Sequence, residues 1–122
     1  LVDVLVGKNC PADRRAQVAQ EYASIAASDG LYERTVVKQL LAAGRFFVRG
    51  RLKKMSVPTL VVYGTDDKFV PNSNSRKLVQ HLPVAKLVPI HGGGHELSLD
   101  NPGELTQAVR NWVAELASAG QQ

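Results

Sequence analysis

Two short stretches carry side chains able to move a proton between them: Gly64-Thr65-Asp66-Asp67-Lys68-Phe69-Val70-Pro71 and His91-Gly92-Gly93-Gly94-His95. A carboxylate that accepts the Nδ1 proton of an imidazole fixes the ring's tautomer and orientation, and leaves Nε2 free to act as a base. The glycines directly before His95 allow positive φ and close backbone packing, so the loop can turn the ring toward its partners. A metal is the competing use for histidines close to Asp66, Asp67 and Glu96. Their spacing fits no H-x-x-x-H or similar ligand template, so neither a metal nor any other cofactor is expected. His91 reads as a surface position or as one supporting the site from behind. His81, beside Pro83, reads as a histidine at a helix end, favoured there by the helix dipole.

The acid and the histidine can meet only if the elements before them bring both loops to one edge. Residues 58–63, PTLVVY, are a continuous apolar run ended by Gly64. The lack of alternation is that of a parallel strand covered on both faces. Residues 73–82 predict a helix carrying Leu78, Val79 and Leu82 and stopped by Pro83. Residues 86–90, KLVPI, predict a second strand, with Pro89 at an edge or a strand end. A last helix is expected over 102–117, with Asn101 as cap, Pro102 at its first position, Glu104 completing a capping-box-like pair, and a stripe of Leu105, Val109, Trp112, Val113 and Leu116. Trp112 reads as core. In an open parallel sheet, active groups gather in loops at the carboxyl ends of the strands, which is where both stretches lie.

Upstream the character differs. Residues 1–6, LVDVLV, read as a short strand or the tail of an earlier element. A helix is predicted over 11–28, with Val18, Tyr22 and Ile25 in phase and Asp29-Gly30 as its breaker. A second is predicted over 32–43, with Val36, Val37, Leu40 and Leu41 turned inward and Gly44 as C-cap. Neither helix carries a polar cluster suited to catalysis.

Composition bounds the remaining readings. A chain of 122 residues, 44% hydrophobic and 21% charged, is one small domain or part of a larger one, of soluble globular type. No apolar run is long enough to span a membrane, and the N-terminus lacks the features of a signal peptide. The single Cys10 excludes an internal disulfide and points to a reducing, cytoplasmic setting. The net charge of +4 raises the question of nucleic acid. Apart from RFFVRGRLKK over 45–54 the charges are dispersed, and no nucleic-acid partner is expected.

PTLVVYGTDDKFVP followed by LVPIHGGGHELSLDNP resembles the C-terminal third of the α/β-hydrolase family, in which a strand ends in G-x-x-D-x-x-V-P and a later one leads into a G-x-G-H-like turn, an acidic residue and Pro. Gly64, Asp67, Val70 and Pro71 match the first element, and Gly92, Gly94, His95, Asp100 and Pro102 the second. The resemblance covers about residues 55–116. It implies an α/β fold, the C-terminal part of a three-layer sandwich at 55–122, preceded by a cap-like helical segment at 1–54. It also implies a serine-type, esterase- or lipase-like hydrolase in which Asp67 is the triad acid and His95 the base, with Asp66 a neighbour and a small acyl compound as substrate.

The family's nucleophile, in G-x-(Ser, Asp or Cys)-x-G on a strand-to-helix turn, has no good counterpart. Ser28 in AASDG follows a helix-like segment, and Ser118 in LASAG lies at the end of the last helix. Cys10 lacks both glycines and is followed by Pro11, which has no N–H to give an oxyanion hole. The expectation is therefore a C-terminal fragment, inactive alone, completed by the N-terminal half of the fold or self-associating through an exposed sheet edge. The alternative is a non-catalytic binding or interaction module built on the same fold.

Overall fold

A computed structural model describes residues 2–29 and 33–120. The chain runs α1 (Val2–Leu5), α2 (Ala12–Asp29), α3 (Glu33–Arg45), α4 (Arg49–Leu52), β1 (Thr59–Gly64), α5 (Asn72–His81), β2 (Ala85–Ile90), α6 (Leu97–Asp100) and α7 (Pro102–Ala119). The strands pair in parallel, Thr59 opposite Ala85 through to Gly64 opposite Ile90. They therefore end level with one another. The crossover between them is α5, and both α5 and α7 pack on the two strands. This is the α/β arrangement expected of an incomplete hydrolase sandwich. Val61, Leu82 and Ile90 are buried in it. A second apolar cluster joins Val6, Cys10 and Val18, with Val2, Leu5, Tyr22 and Leu99 packed around it.

From Val57 onward the elements fall within a residue or two of their expected bounds. Pro89 pairs opposite Tyr63 next to the end of β2, where a missing N–H costs little. Several other expectations are corrected. Residues 2–5 form a helical turn and not a strand; four residues give too little alternation to tell the two apart. Gly44 lies inside α3, which continues to Arg45. Val36, Val37, Leu40 and Leu41 are exposed, so the apolar stripe of α3 is not buried by the described residues. On α7, Val109 and Val113 are exposed as well, and Trp112 is half-buried. Asn101 occupies the N-cap position of α7, but its side chain makes no capping bond; its Oδ1 is buried without a partner. Gly30, the expected helix breaker, and position 32, the expected start of the second helix, lie outside the described residues.

Residues 5–9 leave the helical segment and lie against the histidine loop. Leu5 O accepts from Glu96 N at 2.9 Å, Asn9 N donates to Gly92 O at 3.3 Å, and Asn9 Nδ2 donates to His91 O at 2.5 Å.

Candidate active site

Because the strands end level, the loops after them start side by side. Thr65 N donates to Ile90 O at 3.0 Å, one step beyond the ladder, and Asp66 N donates to Gly93 O at 2.9 Å. Gly92 N returns a bond to Thr65 Oγ1 at 2.9 Å. The loops approach so closely that a Cβ on Gly64 would overlap the carbonyl oxygens of Gly93 and Gly94, and one on Gly94 would overlap Gly7 N. Backbone on all sides leaves no room for a side chain. Gly92 has φ +74, the left-handed region in which a Cβ is strained. The glycines before His95 therefore divide two tasks: Gly92 turns the chain, and Gly94 lets it pass against its neighbours.

The result is the expected juxtaposition. His95 Nδ1 lies 3.0 Å from Asp67 Oδ2. The other carboxylate oxygen, Oδ1, accepts from Phe69 N at 2.8 Å and Val70 N at 2.9 Å, a side-chain-to-backbone turn that holds the acid in place. Burial alone would raise the Asp67 pKa. The bonds from Val70 N–H, His95 and Phe69 N–H outweigh it and hold the carboxyl below its ordinary value. Asp67 is thus an ionised acceptor at neutral pH. An acceptor facing Nδ1 requires the ring proton to be on Nδ1, so the neutral imidazole presents an unprotonated Nε2. The Asp67 side chain is 11% exposed and that of His95 32%, so the acid is shielded while the ring stays reachable. Phe69 meets the ring edge-on, with centroids 5.0 Å apart and planes at 66°.

Asp66 does not share in this pair. Its Oδ2 lies 3.3 Å from Lys8 Nζ, and Thr65 Oγ1 is 3.4 Å from its Oδ1. The choice of Asp67 over Asp66 follows from the Asp67 Oδ1 turn, which aims Oδ2 at the histidine loop. His91 is exposed. The Nδ1 of His81 lies 2.7 Å from Lys77 O in the last turn of α5, in keeping with a helix-end role. Among the described residues no group of three or more His, Cys, Asp or Glu is placed to hold a metal. Cys10 is buried and unpaired. Ser28 Oγ donates to Ile25 O at 3.0 Å within α2, and Ser118 Oγ donates to Ala114 O at 2.9 Å within α7.

Thr65 belongs to the acid loop read from the sequence, which gives it no role, and nothing in the sequence marks Lys8 and Asn9 as parts of this region. Polar residues in loops give no signal of what they bond. Asp100 was matched to a motif without a role; it is buried, and its Oδ2 accepts from Gly94 N and Gly7 N, each at 2.7 Å.

A parallel strand pair whose level ends present a shielded carboxylate to an accessible imidazole is the arrangement that the α/β-hydrolase resemblance implies. The family model described as "Serine aminopeptidase, S33" matches residues 8–102, and the chain belongs to that family of α/β hydrolases. Among curated relatives, a putative carbamate hydrolase RutD of Pseudomonas syringae pv. syringae is 32% identical over 79 residues, 65% of this chain and 30% of the relative. The non-heme chloroperoxidase CPO-A1 of Kitasatospora aureofaciens is 43% identical over 49 residues, 39% of this chain and 18% of its own length. The structure is similar to that of a serine hydrolase involved in carbazole degradation (CarC), with TM-score 0.71 and 25% identity over 93% of this chain and 44% of that one. It is also similar to MGS-MChE2, an α/β hydrolase from a sediment metagenome of the Mar Chica lagoon, Morocco. There the TM-score is 0.63 and the identity 27%, over 80% of this chain and 44% of that one. The matched region thus spans less than half the length of any of these proteins.

Proposed function

We propose that this chain supplies the acid and the base of a serine-type hydrolase that cleaves an ester or another acyl compound. The observation that carries the reading is the Asp67 Oδ2 to His95 Nδ1 distance of 3.0 Å, with the second carboxylate oxygen engaged by the backbone. In the reaction, a hydroxyl nucleophile contributed by a part of the fold outside these residues gives its proton to His95 Nε2 as its oxygen attacks the acyl carbon. Asp67 stabilises the imidazolium that forms. The proton then passes from Nε2 to the leaving group as the acyl bond breaks, and water repeats the sequence to free the acid product. The serine hydrolase and carbamate hydrolase among the similar proteins support carbonyl chemistry of this kind, and the accessible Phe69 supplies an apolar wall beside the ring.

The partner in this reading is the nucleophile-bearing half of the same fold. Its sheet would continue from the two strands seen here, and self-association through a strand edge is the other way to cover it. Among the described residues no helix is long and apolar enough to cross a membrane, and the buried free thiol of Cys10 suits a cytoplasmic setting.

The test uses this chain joined to a nucleophile-bearing N-terminal half. A panel of p-nitrophenyl esters and carbamates is assayed, with a fluorophosphonate probe to label the nucleophile. Turnover that falls by about 10³-fold or more in His95→Ala supports the assignment. Unchanged turnover in that variant refutes it.

A further inference from the structure

We infer that Asp100 is a positioning residue for His95: its carboxylate sets where the histidine loop stands and thereby whether the ring reaches Asp67. The inference rests on the Asp67–His95 pairing of the proposed function. It starts from an expensive arrangement. Asp100 is 6% exposed. Its Oδ2 accepts two backbone N–H groups, Gly94 N and Gly7 N, each at 2.7 Å, which is the short range of charge-assisted bonds. Its Oδ1 is buried without a partner, and no cation among the described residues forms an ion pair with it. Asp100 is also the last residue of α6, the end at which negative charge is disfavoured. Helix stability therefore does not account for a carboxylate here, and a buried group left half unsatisfied calls for a reason of its own.

The reason lies in what the two N–H groups belong to. Gly94 directly precedes His95, and Gly7 lies in the turn between α1 and α2. One oxygen thus ties the backbone next to the base to a segment distant in sequence. The loop is already held on its other side, where Gly92 N bonds Thr65 Oγ1 and Gly93 O accepts from Asp66 N. Those bonds hold the first part of the loop. Asp100 is the side chain that holds its last residue before the histidine. Without it Gly94 N–H and Gly7 N–H face each other's chains in a space too tight for a Cβ and receive no acceptor. The loop then opens, and the pair that needs 3.0 Å is lost.

The experiment is amide exchange and imidazole nitrogen NMR on the 122-residue chain, comparing wild type with Asp100→Ala, Asp100→Asn and Asp67→Asn. Asp100→Ala removes both bonds. Asp100→Asn is the conservative variant, because its amide oxygen can still accept both N–H groups without charge. In Asp100→Ala the exchange of Gly94 and Gly7 is expected to rise on the order of 100-fold, and the His95 Nδ1–H signal to disappear. In Asp100→Asn exchange at the same two amides rises about 5- to 10-fold while the Nδ1–H signal survives. Gly92, held by Thr65, serves as the internal control and keeps its protection in Asp100→Asn. Unchanged Gly94 exchange in Asp100→Asn, or an intact Nδ1–H signal in a folded Asp100→Ala, overturns the inference. Should Asp100→Ala fail to fold, the Asn arm alone still decides it. The Asp67→Asn arm separates this failure from that of the parent reading. If Asp67→Asn leaves the His95 nitrogens unmoved, the pairing itself is wrong.

Discussion

Replacing Asp67 by Asn tests the base without dismantling the loop. In the native chain Oδ1 accepts from Phe69 N at 2.8 Å and Val70 N at 2.9 Å, and Oδ2 faces His95 Nδ1. The variant's amide oxygen can keep both backbone bonds. Its NH₂ then faces Nδ1 and demands an acceptor there, so the imidazole moves its proton to Nε2. That is the wrong nitrogen for a base. Returning to the productive tautomer sets one N–H donor against another and leaves both unsatisfied, at about 1–3 kcal/mol for each group. The sum is roughly 2–6 kcal/mol, and at about 1.4 kcal/mol for each factor of ten it corresponds to about 30-fold to 2 × 10⁴-fold in kcat. Stability should fall by much less, about 1–2 kcal/mol, since the bonds to Phe69 and Val70 lose charge assistance but remain. Two measurements check this: ester turnover by the chain joined to a nucleophile-bearing half, and two-bond ¹H–¹⁵N spectra of the ring. The spectra should show Nδ1 protonated in the wild type and Nε2 in the variant. A variant that keeps its proton on Nδ1, or loses less than about tenfold in rate, would refute the reasoning.

Further outcomes follow from the same geometry. Gly64→Ala places a Cβ against two carbonyl oxygens that cannot move aside; it should destabilise by about 3 kcal/mol or more, seen as a lower Tm, and abolish the His95 Nδ1–H signal. Asp67 has a folded-state pKa below its unfolded one, so its contribution to stability is present above about pH 4 and is lost as pH falls through the lower folded value. Urea titrations at pH 7 and pH 3 should therefore show a smaller loss in Asp67→Asn than in the wild type. Phe69→Ala removes the edge contact to His95, worth about 0.5–1.5 kcal/mol; kcat/KM on apolar esters should drop about 3- to 10-fold, with Tm little changed. Lys8→Gln breaks an ion pair whose lysine side chain is 73% exposed and should alter unfolding free energy by less than about 0.5 kcal/mol in a denaturant titration.

The legible half of the chain was the half whose signals are local. Val61 and Val62 sit in a short apolar run bounded by Pro58 and Gly64, a length and punctuation that favour a strand over a helix, although of its apolar side chains only Val61 is buried. The two loops followed from where the strands stop. Less could be read upstream, because there a residue's fate depends on what it packs against. Leu40 and Leu41 have the phase of a buried stripe and are exposed; periodicity identifies a helix, whereas burial needs a neighbour. The short α6 was missed because Leu97–Asp100 is one turn, too brief for any period to show. Asn101 stands where a cap belongs and makes no capping bond, since its side chain is buried beside the crowded Gly93. Within the site, Asp67 and His95 were visible as residue types in a known spacing. The bonds of Asp100 to Gly7 and Gly94 were not, because a buried acceptor is recognised only by the amides that surround it.

The level ending of the two strands also acts as a ruler. Gly64 stands opposite Ile90, so the offset between acid and base is counted in residues from a shared starting line. A residue inserted within β2 would reverse the parity of every side chain after it and carry the histidine loop off its mark, whereas one inserted in the exposed part of α5, outside the ladder, would leave the count unchanged. Length changes in the exposed part of α5 therefore leave the pair in register, whereas changes along the strands or in the two loops that follow them do not.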